Sequence, residues 1–106
     1  MPQFASERHF QTAICNFALV EGWLVYNHPD SRKANVASSP GFPDIVLAKT
    51  GIVVLVEAKM PKNKAKPEQL KWQEVLQSAG LISVVAYPDD YEAIKDFLMG
   101  KTEEPL

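Results

Sequence analysis

The stretch PDIVLAKTGIVVLVEAK, residues 43–59, decides how this chain folds. Two runs rich in Val, Ile and Leu, 43–48 and 52–59, flank Thr50-Gly51, the pattern of two strands joined as a hairpin. Neither run alternates cleanly between apolar and polar, which predicts strands covered on both faces. The second run then ends on charge, with Glu57 and Lys59 two residues apart. Residues i and i+2 of a strand point to one face, so this acid and base project together while Ala58 turns away. Asp44 opens the first run, next to Pro43, whose missing N–H suits the first residue of a strand.

The turn decides whether Asp44 joins Glu57. A two-residue loop pairs Lys49 with Ile52 and sets Asp44 directly opposite Glu57. A three-residue loop pairs Asp44 with Val56 and sends Glu57 to the other face, because a one-residue slip inverts every side chain. An even loop, or a bulge that restores the register, is therefore required. In the first register two carboxylates stand about 5 Å apart across the strands. Acids that close repel each other, and one tends to hold a proton. Either Lys59 pairs with one of them or a cation sits between them. Mg2+ takes carboxylate oxygens and keeps waters, so one or two acids suffice, and the carbonyl of Ala58 can add a ligand. Bound Mg2+ lowers the pKa of its water and neutralises phosphoryl charge. Lys59 is then placed to orient or deprotonate the attacking water, or to stabilise the phosphorane. Phosphodiester hydrolysis needs this set of parts. The plain alternative is a cross-strand ion pair at the end of a sheet.

Around the hairpin the pattern is α-β-β-β-α-β-α. Residues 6–20 predict a helix capped by Ser6, with Phe10, Ala13, Ile14, Phe17 and Ala18 on its buried face. WLVY (23–26) is a short strand. Residues 27–42 have no periodicity, and a loop of that length in a small domain is usually functional or disordered. Pro67 suits the first turn of a helix over 67–79, whose buried face is expected to carry Trp72, Val75, Leu76 and Ala79. LISVVAY (81–87) is a strand parallel to 52–59, with helix 67–79 crossing over between them. A last helix spans roughly 89–99, and the tail KTEEPL is expected to fray. The sum is one domain, a mixed sheet flanked by helices.

The 106 residues suit one core. No apolar run approaches the roughly 20 residues of a membrane span, and MPQFASERHF lacks the build of a signal peptide. The lone Cys15 predicts a core thiol and a cytoplasmic protein. Net charge is −2, yet residues 32–71 hold eight basic groups against three acids, and residues 89–106 six acids against two lysines. Local potential, not net charge, steers a polyanion. Lys62, Lys64 and Lys66, with Lys71 beyond them, follow the acid-base pair, and Arg32 and Lys33 lie in the long loop. As a group they suit phosphate contacts that read backbone and shape rather than sequence. Trp23 and Trp72 fit burial better than base stacking.

PGFPD (40–44), VEAK (56–59) and KPEQLKWQEVLQSAG (66–80), taken together, closely resemble the VRR-NUC domains of the PD-(D/E)xK nuclease superfamily. The resemblance covers residues 7–87 and implies a restriction-endonuclease-like fold. It also implies a Mg2+-dependent DNA endonuclease, with Mn2+ able to substitute. ERHFQ (7–11) matches the acid and glutamine that the family carries on its first helix, so the resemblance assigns Glu7 to the metal or its waters, beside Asp44, Glu57 and Ala58. Gln69 matches the helix glutamine, which implies a role in orienting phosphate or Lys59. Without additional domains the chain is most similar to stand-alone, phage-type members, which look like homodimeric Holliday-junction resolvases of a bacterial or phage-infected cell. Other readings are a nickase, a repair or restriction-like nuclease, a catalytically silent DNA-binding module, and a protein-interaction domain that would leave the acid cluster unexplained.

Overall fold

The turn between the central strands is the short one. Strand β2 (Ile45–Lys49) pairs antiparallel with β3 (Ile52–Ala58), Lys49 opposite Ile52 and Ile45 opposite Val56. Thr50 and Gly51 make the whole loop, and Gly51 takes a φ of +86°, where a Cβ would be strained. The register therefore runs without a bulge to the ends of both strands.

The computed structural model describes residues 3–27 and 38–106. Helix α1 (Glu7–Val20) starts at Ser6, whose Oγ accepts from the His9 N–H at 3.2 Å. Strand β1 (Leu24–Asn27) pairs antiparallel with β2. Helix α2 (Pro67–Ser78) leads from β3 to β4 (Ile82–Ala86), and β4 lies parallel to β3. A short 3-10 turn, Pro88–Asp90, opens into α3 (Tyr91–Leu98). The sheet order is β1-β2-β3-β4, a mixed sheet with helices against it, in the element order expected from the sequence.

Alternation along the strands divides the sheet into two unlike faces. Ile45, Leu47, Val54, Val56, Ala58 and Ala86 form one core with Phe10, Ile14 and Ala18 of α1 and Ile94, Phe97 and Leu98 of α3. Trp23 joins it and donates its indole N–H to the Leu98 carbonyl at 3.0 Å. Leu55, Glu57, Lys59 and Ser83 alternate to the other face and are buried there.

Helix α2 departs from expectation. Its one fully buried residue is Gln73, while Val75 is 47% exposed and Leu70 52%. Gln69, Gln73 and Gln77 stand four apart on one face. Gln73 donates to the Val84 carbonyl at 3.5 Å and Gln77 to the Ser83 carbonyl at 2.8 Å. The helix meets β4 through amides, so its apolar spacing does not mark its inner side. Trp72 is half-buried and Ala79 is exposed. The tail also differs: Pro105 is buried and the Thr102 hydroxyl donates to the Glu104 carbonyl at 3.0 Å. Among the described residues, no helix is long and apolar enough to cross a membrane.

Candidate functional site

Continuing the β2–β3 register by one pair sets Asp44 opposite Glu57, beyond the Ile45–Val56 pair. Two residues on from Glu57, Lys59 leaves the strand but keeps its direction, because its N–H donates to the Ala86 carbonyl at 2.9 Å. Its Nζ lies 3.8 Å from Glu57 Oε2, and both side chains are buried. Ala58, between them, turns its methyl into the core.

A close backbone approach positions Asp44. Gly41, at φ +97°, lies against the first turn of α2, where a Cβ would stand 2.6 Å from the Glu68 carbonyl carbon and 2.8 Å from the Gln69 nitrogen. Only glycine allows that approach. On either side, the Pro40 carbonyl accepts from the Trp72 indole at 3.0 Å, and Phe42 meets the Trp72 ring edge-on at 5.0 Å. The segment PGFPD is thus moulded onto α2, and its last residue is delivered to the end of β3.

Amides from two helices meet the two acids. Gln11 of α1 donates to Asp44 Oδ2 at 3.0 Å, and Gln69 of α2 donates to Glu57 Oε2 at 3.3 Å. Glu57 is 1% exposed, and its Oε1 is buried with no donor reaching it. Burial, then the carboxyl-to-carboxylate contact with Asp44 and its charge, push the Glu57 carboxyl up to about 9, against a smaller opposing pull from Lys59. With two acceptors face to face, one proton or one cation must stand between them. Glu7, half-buried at the start of α1, is also raised, by burial first and by Asp44, with Lys59 opposing. It borders the pair electrostatically. Among the described residues, however, no three of His, Cys, Asp and Glu converge closely enough to hold an ion alone.

Two carboxylates with a buried, donor-less oxygen fit a hard cation that keeps part of its water shell. The lone lysine beside them cannot neutralise both. Lys62, Lys64, Lys66 and Lys71 are exposed, on the loop after Lys59 and on the first turns of α2. Arg32 and Lys33 lie outside the described residues. The fold thus brings Glu7, Asp44, Glu57, Lys59 and Gln69 to one end of the sheet. The sequence carries signals for two supports, Gln11, matched within ERHFQ but without its partner Asp44, and Gly41, quoted within PGFPD but without its contact to α2. Gln11 is one helical turn from Glu7, on the stripe that borders the core, and Gly41 stands between two prolines in an otherwise irregular segment.

No protein-family model matches this sequence, and no curated protein matches it. The fold has a match among solved structures. A VRR_NUC domain protein superposes with a TM-score of 0.65, covering 91% of this chain and 92% of that one at 19% identity. The chain therefore has the restriction-endonuclease-like mixed sheet of that domain. The resemblance read from PGFPD, VEAK and the PEQ helix and the likeness found in space lead to the same architecture.

Proposed function

We propose that this protein is a Mg2+-dependent DNA endonuclease that hydrolyses phosphodiester bonds. The observation that carries the reading is the buried Glu57 opposite a half-buried Asp44, with Glu57 Oε1 lacking any donor and Lys59 Nζ 3.8 Å from Glu57 Oε2. Binding alone gives no reason to pair a buried acid with a second one where phosphate would approach. Asp44 and Glu57 would hold the metal, with the Ala58 carbonyl and Glu7 meeting it directly or through its waters. Mg2+, or Mn2+ in its place, supplies charge neutralisation for the phosphoryl group and a more acidic water. Lys59 would orient that water or, as the neutral amine, take its proton, and its ammonium charge would offset the negative charge that grows on the phosphorus oxygens. Lys62, Lys64, Lys66 and Lys71, with Arg32 and Lys33, hold the DNA backbone.

Branched DNA such as a Holliday junction is the proposed substrate and a homodimer the proposed assembly, since two sites cut two strands. Leu24, Ala48 and Val53 share one sheet face through the β1–β2–β3 register, with Leu24 75% and Val53 40% exposed, and such a face suits a second copy.

Incubation with four-way junction, flap, nicked and linear duplex DNA tests the reading, with Mg2+, Mn2+ or EDTA. Lys59→Ala and Asp44→Asn are each expected to lose about 10^3-fold or more in cleavage while binding DNA. Paired symmetric nicks select the resolvase, and light scattering tests the dimer. No metal-dependent cleavage of any substrate, or wild-type cleavage by both variants, would sink the enzyme reading. DNA binding without cleavage of any substrate would favour a silent binding module.

A further inference from the structure

Helix α1 brings its first turns to the acid pair from the face of the sheet opposite α2. Gln11 reaches Asp44 Oδ2 at 3.0 Å, and the charges of Lys59 and Asp44 both act on Glu7. Arg8 stands between Glu7 and Gln11 in the chain. It is exposed and has no ion-pair partner among the described residues. At three residues' spacing Arg8 neighbours Gln11 on the helix surface. The same winding sets it across the helix from Phe10 and Phe17. Those two rings mark the flank of α3: Phe10 meets Tyr91 at 6.4 Å, and Lys95 Nζ stands 5.7 Å from the Phe17 ring. The two flanks of this first turn therefore differ in sign. Toward α3 stand the exposed acids Asp89 and Glu92, just beyond the Ala86 end of β4, where Lys59 is pinned. On the other flank stands Arg8.

We infer that Arg8 is a phosphate contact, and that the bound DNA strand crosses the end of the sheet from the α2 side to the α1 side. This rests on the nuclease reading and deepens it, because it gives the strand a path. The loop carrying Lys62, Lys64 and Lys66 leads from β3 into α2, on one side of the acids. Arg8 supplies a cation on the other side. A backbone held at both places lies over Asp44, Glu57 and Lys59. The α3 flank repels it, since Asp89 and Glu92 carry the same sign as phosphate. Arginine suits the far hold, because its planar fork grips two phosphate oxygens at once.

Binding tests this without any need for cleavage. A labelled four-way junction is titrated with protein in EDTA at several salt concentrations and followed by fluorescence anisotropy. Arg8→Gln should bind about tenfold more weakly at 0.1 M salt, with the slope of log K against log salt reduced by about 1. Arg8→Lys should keep the wild-type slope. Lys101→Gln, on the tail beside the β2–β3 turn at the far end of the sheet, should change neither. Single uncharged methylphosphonates are then walked along the strands. At one position the loss should be about tenfold in wild type and under twofold in Arg8→Gln, which identifies the phosphate that Arg8 holds. Wild-type affinity and slope in Arg8→Gln would overturn the inference. A methylphosphonate profile that keeps its wild-type shape in that variant would overturn it too, because the residue would then act only through general charge or stability. A wild-type protein that binds but cuts nothing overturns the nuclease reading and leaves the Arg8 result standing. One that binds no DNA overturns both.

Discussion

The two faces of the sheet are built from different chemistry. The face under α1 and α3 is hydrocarbon: Phe10, Ile14, Ile45, Leu47, Val54, Val56 and Leu98 are buried to 2% exposure or less. The face toward α2 holds Glu57, Lys59 and Ser83, and the helix meets it through three glutamines. Hydrocarbon burial is non-directional and can carry the stability of a small domain. Amide-to-carboxylate bonds are directional and modest in net worth, but they fix where an oxygen points. The first face holds the fold together, and the second aims the side chains.

Breaking the apolar face should produce the largest loss of stability. Phe10→Ala removes a ring packed against Phe4 and Tyr91 and is expected to cost about 3–5 kcal/mol. Urea unfolding measures it. Whatever fraction stays folded should cleave at the wild-type rate per molecule. A specific activity lower than the folded fraction would erase the division between the faces.

Gly41→Ala probes the seam where the PGFPD segment meets α2. The added Cβ meets backbone at 2.6 Å and the residue sits at φ +97°, which together cost about 2–3 kcal/mol. Because the strain falls on the segment that delivers Asp44, activity should drop further than the folded fraction explains. Proportional loss would make Gly41 purely structural.

The smallest effect, counted per pH unit, is the response to pH. Glu57 holds its proton in the folded chain up to about 9, far above its ordinary value near 4.5. The native state therefore binds more protons than the unfolded one between those limits, and stability falls as pH rises through them. In EDTA the fall should be on the order of 1 kcal/mol per pH unit over the part of the range between pH 5 and 8 where the folded pair keeps a proton that the unfolded chain has released. Glu57→Gln, neutral at every pH, should flatten the curve. An equally steep curve in that variant would place the titration elsewhere.

The strands and their register were legible because a hairpin leaves little freedom. Thr50-Gly51 between two aliphatic runs permits a two-residue loop, and parity then assigns each side chain a face. The grouping of Asp44, Glu57 and Lys59 at one end of the sheet follows from that alone. Helix α2 was misread for a physical reason. Hydrophobic spacing marks the buried side only when burial is apolar, and here Gln73 goes inside on the strength of a backbone acceptor while Val75 stays out. Gly41 was legible as part of PGFPD but not as the contact of segment with helix, since its neighbours Glu68 and Gln69 lie far along the chain. The partner of Gln11 was hidden likewise, 33 residues away. The basic loop residues Arg32 and Lys33 fall outside the described part of the chain.

The parallel pairing of β3 with β4 has a consequence for the order of assembly. Asp44 and Glu57 come together through a tight hairpin, a local event with little loop entropy to overcome. The amide of Gln69 and the Ala86 carbonyl that pins Lys59 arrive only when the crossover has closed and β4 has docked, a non-local and intrinsically slower step. A chain caught between the two events carries both acids with nothing from α2 to hold them. Competence at this end of the sheet is therefore acquired late, and the Lys59 amide should gain protection from exchange after those of the hairpin.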